Sequence, residues 1–159
     1  MPRQRDPTGE HSMSQARPSS PTLWAQALGY SGLIPFVGLA LAIWLLPAHQ
    51  ARVTSALLGY GATIASFLGA IHWGLTMRDP QGPNTSRLIW GVVPSLVAWL
   101  ALMLPTLHGL LLIALLLWAC FAVDRVEYSR LGLQGWLPMR LALTTVASVC
   151  CISAAWSAP

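Results

Sequence analysis

The sequence predicts an all-α fold: a polytopic transmembrane helical bundle of five spans, with the N-terminus in the cytoplasm and the C-terminus outside. Three observations carry this reading. The chain is 55% hydrophobic and only 9% charged, against roughly 25% charged in a soluble domain, so a soluble fold of this size could not cover its surface. The charges it does carry cluster between long apolar runs, which is the pattern of a membrane protein. The arginines, finally, fall almost entirely on alternate connections, and that pattern sets both the span count and the orientation. At 159 residues the chain suits one domain.

Residues 1–22 are polar and rich in Pro, Ser and Arg. They carry too little apolar surface to repay ordering and are predicted to be a disordered cytoplasmic tail. They are not a signal peptide, because no apolar stretch follows directly on a charged start. Met13 opens a tidier beginning, MSQARPSSP, and is a second candidate start. The membrane domain then covers 23–159, with spans at about 28–46, 54–77, 88–104, 107–123 and 139–156.

The first span holds Gly29, Gly32, Pro35 and Gly38, residues tolerated in membrane helices more than in soluble ones. The second is the most unusual. Gly61, Ala65 and Gly69 recur every four residues, with Ala62, Ser66, Ala70 and Gly74 as a neighbouring row. Residues four apart share a helix face, and small residues let helix backbones approach closely in lipid. Gly61, Ala65, Gly69 and Gly74 are therefore predicted packing positions, with this helix at the centre of the bundle. Self-association through the same face is the competing reading. RDPQGPNTS, residues 78–86, reads as a loop. Residues 88–123 contain no charge and exceed one crossing of about twenty residues, so the break at Pro105 makes them a helical hairpin.

Five spans place the tail and the connections after spans two and four on one side. Eight arginines belong to that side: Arg3, Arg5, Arg17, Arg78, Arg87, Arg125, Arg130 and Arg140. The other side holds Arg52 alone. Arginine is retained in the cytoplasm during insertion, so the split predicts N-in and C-out. The net charge of +4 is no nucleic-acid footprint, since the arginines form no stripe and accompany no binding motif. The lipid bilayer is the partner the composition requires; another membrane protein or a second copy is the further expectation.

Cys120, Cys150 and Cys151 form no CxxC pair and lie within predicted spans. Cys120 falls near the cytoplasmic end of its span and Cys150 about 15 Å deeper in the next, so no disulfide is expected between them.

Few residues could carry chemistry. His72, in GAIHWG, sits inside the second span near its cytoplasmic end. An ionisable side chain at such depth usually faces the protein interior. It reads either as an interhelical hydrogen bond or as a proton-handling, head-group or metal-binding group. The metal reading is the weakest, because Leu75 and Thr76 occupy the i+3 and i+4 positions. Asp124 and Arg125 emerge on the same side, as do Arg78, Asp79, Arg87 and Glu127, with Trp90 and Tyr128 close by. His72, Trp73, Arg78, Arg87, Asp124 and Arg125 thus form a candidate polar cytoplasmic mouth, the alternative being ordinary interfacial anchoring. No nucleophile pattern, phosphate-binding loop or paired-carboxylate motif appears, so the sequence leans away from an enzyme and predicts no catalytic residues, no cofactor and no metal.

LGYSGLIPFVGLAL in the first span, YGATIASFLGAIHWG in the second and RLIWGVVPSLVAWLALMLP in the third resemble the small bacterial membrane proteins grouped as domain of unknown function 3429. That family is itself similar to a mitochondrial protein, transmembrane protein 69. The resemblance covers about residues 24–156 and implies a multi-span protein of the bacterial inner membrane. It implies no activity and no site residues. Three functions remain open: a non-catalytic scaffold or assembly factor, a small oligomeric transporter or channel using His72, or a lipid- or quinone-binding enzyme subunit.

Overall fold

The computed structural model describes residues 20–78 and 85–157. Residues 1–19, most of the tail expected to be disordered, and 79–84, the centre of the expected loop, lie outside the described residues. Six helices follow in order: α1 (Leu23–Ser31), α2 (Leu33–Leu45), α3 (Gln50–Met77), α4 (Thr85–Met103), α5 (Thr106–Arg130) and α6 (Leu137–Ser157). Single 3-10 turns at Pro47–His49 and Gln134–Trp136 lead into α3 and α6. Taking α1 and α2 as one interrupted helix, the described residues contain five helices long and apolar enough to cross a membrane.

Local chemistry explains each boundary. The Thr22 hydroxyl caps α1 by accepting from the Ala25 amide at 3.3 Å. The interruption at Gly32 lies three residues before Pro35, whose missing N–H cannot bond the Ser31 carbonyl, and which fits the first turn of α2. The Tyr60 hydroxyl of α3 donates to the Gly32 carbonyl at 2.9 Å, and its ring meets Phe36 edge-on at 5.0 Å. Pro105, with φ −51° and ψ 140°, turns α4 into α5, and the Gly109 amide closes the turn on the Pro105 carbonyl at 2.9 Å. The connection after the fourth span begins later than its polarity suggests: DRVEYSR continues α5 to Arg130. It ends at Gly132, whose φ of 69° allows the Leu133 amide to reach back to the Tyr128 carbonyl at 2.8 Å.

The helices run up and down, and α3 touches α2, α4, α5 and α6. Ile43, Leu57, Leu110 and Ile113 form the sealed core. Glycines set the closest approaches. A Cβ on Gly69 would stand 2.7 Å from the Gly91 carbonyl and 3.1 Å from the Pro94 ring. One on Gly91 would overlap the Trp73 indole. One on Gly61 would meet Ile113 at 2.8 Å, and Ala65 beside it is fully buried. Gly74 is different: it is exposed, with nothing within 4 Å of where a Cβ would stand. Around the perimeter Leu23, Trp44, Phe67, Leu115 and Trp156 are exposed, as lipid-facing side chains should be.

Candidate functional site

Three helices converge on one carboxylate. Asp124 stands on the part of α5 that carries on beyond its apolar run. One of its oxygens, Oδ1, lies 3.1 Å from His72 Nε2 on α3. The other, Oδ2, accepts from Arg140 Nε on α6 at 2.8 Å and also from its Nη2. His72, Asp124 and Arg140 are 1%, 2% and 6% exposed. A carboxylate held by a guanidinium can only accept, so His72 Nε2 carries the hydrogen. That leaves His72 Nδ1 buried with no partner.

One turn further along α5, Glu127 makes a second tie. Its Oε2 accepts from Arg87 Nε of α4 at 2.7 Å, and its Oε1 from the exposed Arg130 at 3.3 Å. Asp124 and Glu127 are three apart and share a helix side, which is why the polar end of α5 stays helical and turns inward. Both are buried, and an unpaired buried charge would be heavily penalised. The two acids together tie α5 to α3, α4 and α6.

The remaining predicted mouth residues are placed differently. Trp73 is 42% exposed and lies over α4, its Nε1 donating to the Leu88 carbonyl at 3.0 Å. Arg87 joins Glu127 rather than Asp124. Arg78 and Arg125 are exposed. Asp79 lies outside the described residues. In the sequence Arg140 stands out only as one of the eight arginines of the expected cytoplasmic side. The available signal was its depth: an arginine within an apolar helix needs a carboxylate, and Asp124 is the acid whose helix delivers one at the same end. The three cysteines are buried and free, and no cluster of three His, Cys, Asp or Glu exists among the described residues.

Beside the triad lies a chamber of about 610 Å³ bounded by α1, α2, α3, α5 and α6. Its wall is almost wholly apolar, with Phe36, Leu68, Leu117 and Ala147 among the residues that line it. Arg140, Thr144 and Tyr128 are the polar residues among its lining, and the Thr144 hydroxyl itself is buried away from the open space. His72, Asp124 and Glu127 are not part of its wall.

The fold and site define a class: a polytopic helical bundle with five membrane-length apolar helices, clasped at one end by buried ion pairs. Residues 21–156 match the family described as protein of unknown function (DUF3429), and the chain belongs to that family. It is also similar to transmembrane protein 69 of Xenopus tropicalis, at 41% identity over 78 residues, which is 48% of this chain and 31% of the relative. The chain thus spans less than a third of that relative's length. No solved structure matches.

Proposed function

We propose that this chain is a non-catalytic scaffold or assembly factor of the bacterial inner membrane, oriented N-in and C-out, that binds another membrane protein. The observation that carries the reading is how the acids and bases are used. In a catalytic site they face a space where reacting atoms can sit. Here His72 and Asp124 face each other, Arg87 faces Glu127, and Arg140 alone of these reaches the chamber wall. The groups act as ties that hold four helices in one arrangement. The eight-to-one partition of arginines supports the orientation. Purification of the full chain from native membranes in mild detergent, with quantitative mass spectrometry, tests the reading. A protein partner at near-equal amount is expected. Repeated recovery of the chain with no stoichiometric protein would overturn it.

A second reading, a small transporter, is favoured by one observation: the buried, unpartnered Nδ1 of His72, a place where a proton could be exchanged. Proteoliposome proton flux that depends on His72, lost in His72→Ala while the protein remains folded, would support it. Flux unchanged by that substitution would remove it.

A further inference from the structure

The chamber is closed on one side of α1 and open on the other. Towards α6, α1 packs tightly: a Cβ on Gly29 would stand 3.1 Å from the Met139 sulfur. Towards α3 it makes no contact, although both helices line the chamber. No residue of α1 is buried. Two residues on either side of this gap, Leu28 of α1 and Phe67 of α3, stand in the chamber wall and are 70% and 61% exposed. The wall of the chamber is therefore continuous with the lipid-facing surface, and the gap between α1 and α3 is a lateral window onto the bilayer.

The depth of the chamber matches one leaflet. Its lining on α3 runs from Ile64 to Leu75, about 16 Å at 1.5 Å per residue, against a hydrocarbon core of about 30 Å. Its end towards the triad lies at head-group level, where Trp136 lines it and Trp24 is exposed nearby on α1, since tryptophan gathers at that interface. An apolar space opening on the bilayer gains dispersion contacts when hydrocarbon fills it. The wall offers little to a polar head, however. The Thr144 hydroxyl is sealed and without a partner, and Arg140 is engaged with Asp124. A charged head therefore stays outside. One turn beyond Leu75 on the same side of α3, Arg78 is exposed at the end of the helix. A guanidinium there suits a phosphate, which it can grip through two parallel hydrogen bonds.

We propose that one acyl chain of an anionic phospholipid, from the leaflet on the triad's side, enters between α1 and α3 and fills the chamber, with its phosphate held outside by Arg78. Chain and head are recognised separately: the chain by Ile64, Leu68, Ile71 and Leu75 across from α6, the head by charge at the rim. The flexible Met139 side chain in the wall adapts to the shape of the chain.

The test reconstitutes the purified full chain in vesicles containing phosphatidylglycerol with a diazirine near the end of one acyl chain. After irradiation, labelled positions are read by mass spectrometry. Label is expected in the chamber, at Leu68 and Ala147, as well as at Leu96, an exposed residue outside the chamber that reports ordinary surrounding lipid. Ala147→Leu, which fills the chamber, should remove the chamber label and leave that at Leu96. Arg78→Gln should lower the chamber label alone by about threefold to tenfold. Label confined to Leu96 and other exposed positions would overturn the proposal. So would chamber label that survives Ala147→Leu or is unchanged by Arg78→Gln. A diazirine fatty acid that labels the chamber where the phospholipid does not would overturn it as well. If Ala147→Leu fails to fold, Leu143→Phe, at a half-buried position in the wall, replaces it.

Discussion

The two sides of α3 are made from the same kind of apolar sequence yet end in opposite states. Towards α4 the seam is closed to backbone contact, because Gly69 and Gly91 put no side chain between the helices. Towards the chamber, Ile64, Leu68, Ile71 and Leu75 form a stripe at helical spacing and line open space. Separation in this bundle is thus set by residue size along each stripe: glycines admit the neighbouring backbone, and branched side chains keep it away. The triad spans the loose side, since His72 belongs to α3 and Arg140 to α6. A polar clasp holds there what packing leaves open.

That division ranks the substitutions. Asp124→Ala should have the largest effect, because it leaves Arg140 buried with no acceptor and His72 without its partner. Removing one member of a buried ion pair costs about 3–5 kcal/mol, and loss of that order is expected in the thermal stability of the purified protein. Asp124→Leu combined with Arg140→Met should recover much of it, because the uncompensated charge goes too. If the double variant is no more stable than the single, the clasp is not an electrostatic tie.

Gly69→Leu comes next. Its Cβ alone would stand 2.7 Å from a backbone carbonyl, which cannot swing aside as a side chain can. Overpacking of this kind costs about 1–3 kcal/mol, and Gly91→Ala should act in the same direction by striking Trp73. On the opposite side, Leu68→Ala should be milder than a truncation in a sealed core. Such truncations cost about 2–5 kcal/mol, but Leu68 already borders open space. A loss at or below about 2 kcal/mol is expected. A larger loss for Leu68→Ala than for Gly69→Leu would reverse the ranking of the two sides.

Much of this architecture is legible in the sequence, because hydropathy and turn residues act locally. The five apolar runs, the break at Pro105 and the small residues Gly61, Ala65 and Gly69 report on single helices. The ties do not. That His72 meets Asp124 depends on which helices are neighbours, and no local pattern encodes helix order. Arg140 is hidden for a related reason: near the start of a span, an arginine reads as an interfacial anchor until its partner is seen. The continuation of α5 past the fourth apolar run is hidden too, because polar residues after such a run read as the start of a connection. Asp124 and Glu127, three residues apart, instead mark an inward-facing side. The chamber and the unpartnered Thr144 belong to the packing of five helices together, and no stretch of chain announces them.

Gly74 supplies the smallest expected effect and separates the packing of one chain from contact between chains. It shares the small-residue character of Gly61 and Gly69, but a Cβ there meets nothing within 4 Å. Within one molecule, Gly74→Ala should leave stability unchanged or raise it by up to about 1 kcal/mol, since glycine inside a helix is disfavoured by roughly 0.5–1 kcal/mol relative to alanine. Gly74→Leu should also be tolerated by the isolated fold. Should the leucine variant stay folded yet lose a partner that co-purifies with the wild type, the open face around Gly74 is where that partner's helix packs, which would tie the exposed row of α3 directly to the scaffold role. Should both variants keep the partner, the contact lies elsewhere on the bundle and the gap beside Gly74 is filled by lipid alone.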